Sequence, residues 1–322
     1  MNTEPLVPEI VPEITLPQRS VLAQKLDQGF VLLTGIFGIG VAFILISIVI
    51  TVAVEAYPAI SKFGLDFLFS SKWDVTRDNY GVLPQVYGTI VSSFIALLIS
   101  VPIGVFIAIF LSEDFNFLPS KVQKILVFLV ELLAAIPSVV YGLWGIFVLI
   151  PILKPFGDFL YSNFKWFPLF STPLSGTGML PAATVLAIMI LPTIAAISRE
   201  ALISVPKDMR QASMGLGATR WETIIQVLIP ASFSGIVGAV MLALGRAMGE
   251  TMAVTMLIGN ASDINFSILA PSNSIAAKLA NEFAEAGGLQ VSALMYAALV
   301  LFGLTLFVNI LAELLIMRVQ KI

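Results

Sequence analysis

The sequence predicts an all-α fold, a polytopic membrane bundle of six transmembrane helices, and three observations support that prediction. Of the 322 residues, 58% are hydrophobic and only 11% are charged, with a mean hydropathy of +0.99. A soluble core cannot absorb that much apolar surface. Six apolar stretches are each long enough to cross a bilayer as helix, which takes about 20 residues. The alternating pattern of membrane-barrel strands is not seen, so a helical bundle is the architecture that the sequence favours.

The predicted spans follow one another along most of the chain. They cover roughly residues 29–55, 84–112, 121–150, 179–203, 223–258 and 291–318. Residues 29–322 are therefore expected to form one transmembrane domain. Residues 1–28, which carry three glutamates and several prolines, are predicted to be a flexible cytoplasmic tail. The first apolar stretch is too long for a signal-peptide core and lacks a cleavage pattern, so it is expected to remain as an anchor.

The distribution of lysine and arginine predicts the orientation of the spans. Cytoplasmic loops of membrane proteins carry an excess of both residues. With the N-terminus inside, ten of the 17 basic residues fall on the inner side and six on the outer side. The inner residues are Arg19, Lys25, Lys121, Lys124, Arg199, Lys207, Arg210, Arg220, Arg318 and Lys321. An even number of spans then places both termini in the cytoplasm.

Several kinds of chemistry are excluded by composition. The chain has no cysteine and no histidine, which excludes disulfides, thiol catalysis and histidine-ligated metals. No acidic cluster suggests a metal site, and a net charge of −3 gives no reason to expect nucleic acid. The phosphate-binding loop pattern G-x-x-x-x-G-K-[ST] does not occur. No cofactor is therefore expected in this chain, and any ATP with its Mg²⁺ must be bound by another subunit.

A polar segment at about 199–222 separates the fourth and fifth spans and is too charged to lie in lipid. It is patterned as helix, turn and helix, since Pro206 suits a first helical turn and Gly217 suits the break after it. The segment resembles the EAA loop of ABC-importer permeases, with which such permeases contact their ATPase. The resemblance rests on Gln211-Ala212-Ser213, Gly217 and the closing Pro230, although Gln replaces the usual Glu and Ser replaces the second Ala.

Two charged residues fall inside the fifth predicted span. Arg246 and Glu250 are four residues apart, so on one continuous helix they share a face, with Gly245 and Gly249 at a spacing that admits a neighbouring helix. A charge in lipid is costly, so both side chains should face the bundle or water. Either the two neutralise each other as a structural ion pair, or Arg246 faces a path for an anion and Glu250 holds it in place.

Glu131 is a third intramembrane charge, in the cytoplasmic half of the third predicted span and six residues before Pro137. It could pair with a Lys or Arg at the inner surface, pair with Arg246, or line the transport path.

Two stretches carry a more specific resemblance. ELLAAIPSVVYGLWG at 131–145 and ALGRAMGETMAVTMLIGN at 243–260 are similar to the corresponding segments of phosphate-specific ABC transporter permeases of the PstC type. The resemblance implies the type I ABC importer permease fold, a bacterial inner-membrane location and import of inorganic phosphate. It also implies three partners besides membrane lipid: a second homologous permease, a dimer of ATPase subunits and an extracytoplasmic phosphate-binding protein. The arginine and glutamate implicated in phosphate passage in that family correspond to Arg246 and Glu250.

Three alternatives remain open from the sequence. The same architecture could carry another oxyanion or small solute. An ion-coupled secondary transporter could use Glu131 and Glu250 as proton sites, although no internal inverted repeat is visible. A membrane enzyme is least consistent with a chain that lacks histidine, cysteine and clustered carboxylates.

Overall fold

The computed structural model describes residues 21–112 and 119–319. Most of the predicted N-terminal tail, residues 1–20, lies outside this range. The first helix begins at Val21, eight residues before the predicted start of the first span. The chain divides into two compact units at Thr51–Val52, the first containing most of this helix and the second all the remaining elements.

Helices make up nearly all of the described structure. In chain order they are α1 (Val21–Phe63), α2 (Asp66–Phe69), α3 (Leu83–Phe110), α4 (Ser120–Ala134), α5 (Ser138–Trp144), α6 (Ile150–Phe164), α7 (Met179–Ile203), α8 (Lys207–Gly215), α9 (Arg220–Thr223), α10 (Ile229–Ala231), α11 (Phe233–Gly249), α12 (Met252–Leu257), α13 (Ile275–Glu282) and α14 (Leu289–Val319). Two short strands of two residues each, β1 (Trp73–Asp74) and β2 (Asn79–Tyr80), pair as an antiparallel hairpin.

Within the described residues, five helical segments are long and apolar enough to cross a membrane. They are Lys25–Phe63, Leu83–Phe110, Ser138–Phe164, Met179–Ile203 and Leu289–Leu314. A sixth span exists if Arg220–Ala231 and Phe233–Gly249, which meet at a bend of 68°, are taken together. The predicted all-α membrane bundle is confirmed.

The third predicted span, 121–150, is wrong in its limits. The helix that begins at Ser120 ends at Ala134, and a new helix starts at Ser138 and continues to Phe164. Pro137 causes the break, because it has no amide hydrogen to donate and disfavours helical geometry in the residue before it. Residues 151–164, which lie beyond the end of the third predicted span, are the second half of the spanning helix.

Two widened helical turns accommodate prolines inside long helices. Residues 145–149 and 224–228 form π-helix, and the prolines at 151 and 230 each follow two residues after such a turn. A proline ring clashes with the carbonyl group four residues earlier. The π turn bonds each amide to the fifth residue back, which relieves that conflict and lets the helix continue.

Helix α7 forms the centre of the second unit. In an apolar 18-residue stretch of α7, 67% of the residues are buried. The corresponding share is 33% for α3 and 28% for α14. A β-carbon on Gly104 of α3 would come within 2.8 Å of Ile194 on α7, so this glycine allows the two helices to pack closely. The buried core around α7 also includes Tyr141, Ala247 and Leu257 from α5, α11 and α12.

The hairpin is fixed to α13 by a polar cluster. The indole nitrogen of Trp73 donates a hydrogen bond of 2.9 Å to Glu282, and the buried ammonium group of Lys278 lies 4.5 Å from the centre of the Trp73 ring. Lys278 and Glu282 also form an ion pair one turn apart on α13. This cluster holds the β1–β2 hairpin against α13.

Candidate functional site

The polar segment between α7 and α11 folds as a helix, a turn and a second helix, as the sequence predicts. Pro206 occupies the position before α8, and Gly217 forms the turn after it with a φ of +92°. Backbone bonds close this turn, from Gly217 to the Met214 carbonyl group at 3.0 Å and from Ala218 to the Ser213 carbonyl group at 3.2 Å. The Ser204 hydroxyl group, at the end of α7, donates to the Ala201 carbonyl group at 2.8 Å.

A capping box that the sequence analysis missed starts α9. The backbone amide of Thr219 donates to the Glu222 carboxylate at 2.7 Å, while the Glu222 amide donates to the Thr219 hydroxyl group. These hydrogen bonds to Thr219 hold the pKa of the Glu222 carboxyl group below its ordinary value. The spacing T-x-x-E at 219–222 is the sequence signal that could have revealed the box.

Helix α8 is attached to the chain on one side and presents the other side to solvent. The guanidinium group of Arg210 is buried and donates to the Leu202 carbonyl group at the end of α7, at 2.5 Å. The hydroxyl groups of Ser213 and Thr223 lie 3.0 Å apart, which ties α8 to α9. Gln211 and Ala212 are exposed, whereas Ser213 is half-buried, so the QAS motif lies partly on the free surface.

Pro230, the closing residue of the motif, is not part of the α8 surface. It is exposed at the start of α10, directly after the second π turn, and it shapes the entry to the bent span.

Arg246 lies in the last turn of α11 and is half-buried. One guanidinium nitrogen donates to the Thr193 hydroxyl group of α7 at 3.2 Å. The side chain also lines an open groove of about 510 Å³ between α11 and α14, whose other lining residues include Asn309 and Glu313. The arrangement leaves a cationic group with spare hydrogen-bond donors in a groove between two membrane-crossing helices.

The expectation that Arg246 and Glu250 share a helical face is wrong. Helix α11 ends at Gly249, and Glu250 has an extended backbone with a ψ of 127°. Its carboxylate accepts a bond of 3.3 Å from the Ala253 amide at the start of α12, so it acts as a helix cap. Among the described residues these two side chains form no ion pair. Glycine weakens the helix at this point, and a carboxylate that can bond to free amide groups favours the break.

Glu131 lies on α4 and is exposed to a different cavity from the one that Arg246 lines. A space of about 180 Å³ brings it together with Lys124 and Arg199. Arg199 and Gln123 both donate to the Leu111 carbonyl group at the end of α3, at 3.0 and 2.9 Å. Of the three arrangements open to Glu131, the structure therefore favours proximity to other basic residues over pairing with Arg246.

Asn309 and Glu313, which line the Arg246 groove, were not among the site residues predicted from the sequence. The signal was present, because the two are polar residues four positions apart in the sixth predicted span. That spacing places both side chains on one face of α14.

Comparisons with known proteins show the family to which this chain belongs. Residues 100–321 match the family described as "Binding-protein-dependent transport system inner membrane component". The phosphate transport system permease protein PstC of Haemophilus influenzae is 42% identical over 89% of this chain and 92% of its own length. The probable phosphate transport system permease protein PstC of Methanocaldococcus jannaschii is 36% identical over 90% of this chain and 93% of its own.

Solved structures support the fold. A chain of a bacterial alginate ABC transporter, in complex with its pentasaccharide-bound periplasmic protein, aligns with a TM-score of 0.62 at 14% identity, covering 94% of this chain and 99% of its own. A chain of the inward-facing MetNI methionine ABC transporter aligns with a TM-score of 0.52 at 18% identity, covering 74% and 94%. At such identities the likeness concerns the fold, which is that of type I ABC importer permeases.

The fold and the family match define the class of protein: a multi-pass inner-membrane permease subunit of a binding-protein-dependent ABC importer. Such a subunit works with an ATPase and a substrate-binding protein. Within that class, the chain belongs to the PstC family of phosphate transport system permeases.

Proposed function

We propose that this chain is a permease subunit through which an ATP-driven importer moves inorganic phosphate across the inner membrane into the cytoplasm. The position of Arg246 carries the proposal. Of the residues that line the groove between α11 and α14, it alone is cationic, in a chain whose relatives are named as phosphate permeases. A cation in a membrane-crossing helix is costly and is typically retained for a function.

Arg246 has the chemistry that phosphate needs. A guanidinium group is planar and can donate two parallel hydrogen bonds to two oxygens of one oxyanion. The bond to Thr193 uses one nitrogen and orients the group, while its other donors remain available to the groove. Thr193 is therefore a positioning residue, and Glu250, as the cap of α12, acts on the backbone next to Arg246 rather than on its charge.

The surface around α8 has the features of a contact for the ATPase subunit. Met209 and Met214 are 45% and 46% exposed, and Leu216 in the turn is 91% exposed. Apolar side chains on a rigid, water-facing loop are typical of a protein interface. Because Arg210 anchors α8 to the end of α7, a push on α8 would reach the core helix of this chain directly.

The complete transporter would contain two permeases, two ATPase subunits that bind ATP and Mg²⁺, and an extracytoplasmic phosphate-binding protein. Both termini of this chain and α8 would lie on the cytoplasmic side. ATP-driven closure of the ATPases would then move the two α8 surfaces and rock the permeases between outward and inward access.

The alternative cargo is another oxyanion, since a guanidinium group also fits sulfate. An ion-coupled transporter has less support, because Glu131 and Glu250 lie in different surroundings and neither lines the Arg246 groove. ATP dependence of uptake separates these possibilities, and competition by sulfate tests the cargo.

The test is phosphate uptake by Arg246 variants in proteoliposomes that contain the whole complex. A charge-assisted hydrogen bond contributes roughly 1.5–3 kcal/mol. Arg246→Gln should therefore lower uptake by about tenfold to a hundredfold. Arg246→Lys should recover only part of the rate, because an ammonium group keeps the charge and loses the two-pronged geometry.

Arg77→Gln is the matched control, since this exposed arginine pairs only locally with Asp74 and lies far from α11 in the sequence. The amount of assembled complex is measured for every variant. Uptake by Arg246→Gln equal to that of the control, at equal assembly, would exclude Arg246 from the path.

A further inference from the structure

Glu313 of α14 is an intramembrane acid to which the family resemblance assigns no role. It falls within the membrane-crossing segment Leu289–Leu314 and is exposed to the same groove as Arg246. An ionisable residue in such a segment is a candidate functional residue whose natural partner is a nearby opposite charge. Within the described lining of this groove, Arg246 is that opposite charge.

Glu250 does not neutralise the charge of Arg246. Glu250 caps α12 and does not pair with Arg246, whose guanidinium group donates to the neutral hydroxyl group of Thr193. When no anion is bound, a guanidinium group between membrane helices has no neutralising charge from either residue. Arg246 is half-buried and faces an open groove, so water lowers part of the cost of this charge, and a carboxylate on the same groove would lower it further whenever no anion is bound.

The groove carries a carboxylate on the helix opposite Arg246. Its α11 wall runs from Gly238 to Arg246, eight residues or about 12 Å along the helix. Its α14 wall carries Asn309 and Glu313 one turn apart on one face. Since consecutive spans cross in opposite directions, Asn309 lies toward the Arg246 end and Glu313 toward the α8 end of the groove.

From this geometry we propose that Glu313 is the release residue of the transport path, the carboxylate that takes the place of phosphate on Arg246. The inference rests on the proposed role of Arg246 in phosphate passage. In the described part of the chain, Arg246 and Glu313 line the same open groove without forming an ion pair. As the groove narrows during the transport cycle, the Glu313 carboxylate competes with phosphate for the guanidinium group and the anion leaves. Glu313 also neutralises Arg246 once the anion has gone.

This role predicts an effect on rate rather than on binding. Glu313→Gln keeps the size and an acceptor oxygen but removes the competing charge. Phosphate should then be held at least as tightly while its release slows. The maximal uptake rate should fall by about tenfold, the change that corresponds to ~1.4 kcal/mol, and the phosphate concentration at half-maximal rate should stay constant or fall. Glu313→Asp, which keeps the charge on a shorter side chain, should restore part of the rate.

The experiment measures uptake kinetics of radioactive phosphate in proteoliposomes containing the complete importer with its binding protein. Glu285→Gln is the matched control, because this exposed glutamate undergoes the same chemical change outside the groove. The amount of assembled complex is quantified for each variant. The double variant Arg246→Gln with Glu313→Gln completes a mutant cycle, and it should be no slower than Arg246→Gln alone, because a release residue has nothing to act on without Arg246.

Three outcomes would overturn the inference. Glu313→Gln could match the Glu285→Gln control in maximal rate. It could lose assembled complex in proportion to its loss of uptake, which would make Glu313 a structural residue. Its effect could also add fully to that of Arg246→Gln, which would separate the two side chains. Normal uptake by Arg246→Gln is a different result, since it would exclude Arg246 itself from the phosphate path.

Discussion

Gly217 shows how one residue sets the shape of the α8 surface. Its φ of +92° lies in the region that residues with a β-carbon rarely adopt, yet a β-carbon there would meet nothing within 4 Å. The constraint is therefore on the backbone and not on space. Gly215, two residues earlier, lies within α8 and also has open space around it.

Substitution at these two glycines should give opposite results. Gly217→Val should distort the turn, since a β-branched residue at positive φ costs about 1–2 kcal/mol. Gly215→Ala should be neutral or stabilise α8 by roughly 0.5–1 kcal/mol. The measurements are co-purification of the ATPase and phosphate-stimulated ATP hydrolysis. If Gly217→Val matches Gly215→Ala in both, the turn is not part of the ATPase contact.

Gln211 permits a second test of that contact. The EAA motif usually has glutamate at this position, and the exposed Gln211 keeps its size without its charge. Gln211→Glu should leave coupled transport unchanged or raise it, because a charge-assisted bond to the ATPase contributes roughly 1.5–3 kcal/mol when buried. Complete loss of uptake with an intact complex would mean that α8 docks differently here from other members of the class.

At the scale of elements, breaks and caps decide which part of each apolar stretch is one helix. Pro137 separates α4 from α5, and the Gly249–Glu250 break separates α11 from α12. The capping box of Thr219 and Glu222 starts α9 and so fixes where the loop ends and the bent span begins. Each of these breaks and caps depends on only a few neighbouring residues.

The capping box should weaken in acid. Hydrogen bonds from Thr219 lower the pKa of Glu222, so its contribution is fully present above the ordinary glutamate pKa and is lost as the pH falls through the lowered value. The protection factors of amides 219–224 in the solubilised complex, which express hydrogen exchange relative to the intrinsic rate at the same pH, should therefore fall as the pH drops below the ordinary glutamate pKa. Thr219→Ala should lower them at neutral pH already. Protection that is identical in the variant and independent of pH would show that the box does not hold α9.

At the scale of the whole molecule, a stripe of glycines on α11 remains uncovered. Added β-carbons on Gly238, Gly245 or Gly249 would contact nothing within 4 Å. The predicted small-residue spacing of Gly245 and Gly249 is therefore not used by packing within this chain. We expect the second permease of the importer to approach α11 at this stripe.

This expectation is tested by comparing two glycines. Gly249→Leu should leave the fold of this chain intact and reduce co-purification of the second permease. Gly142→Leu should destabilise this chain itself, because a β-carbon there would lie 3.3 Å from the backbone Cα of Ala253 as well as 2.6 Å from the Met256 sulfur, so the leucine side chain would push against α12. Thermal stability of the solubilised chain and recovery of the partner are measured for both. Full recovery of the partner with Gly249→Leu would place the permease interface elsewhere.

The sequence by itself determined the class of protein, because the length of an apolar stretch and the residues of a short motif are properties of neighbouring residues. Hydrophobic length identified most spans, the polar segment at 199–222 and its turn glycine identified the loop, and two motifs indicated the family. A charged residue within an apolar stretch was enough to identify Arg246 as a candidate site residue.

Only the tertiary structure decided which charges meet. Helical spacing paired Arg246 with Glu250, but a helix break of a few residues turned Glu250 into a cap, and packing of α14 against α11 brought Glu313 to the groove instead. Packing likewise placed Glu131 near Arg199. Contacts between residues far apart in the chain depend on how helices pack, and periodicity within one segment carries no information about that.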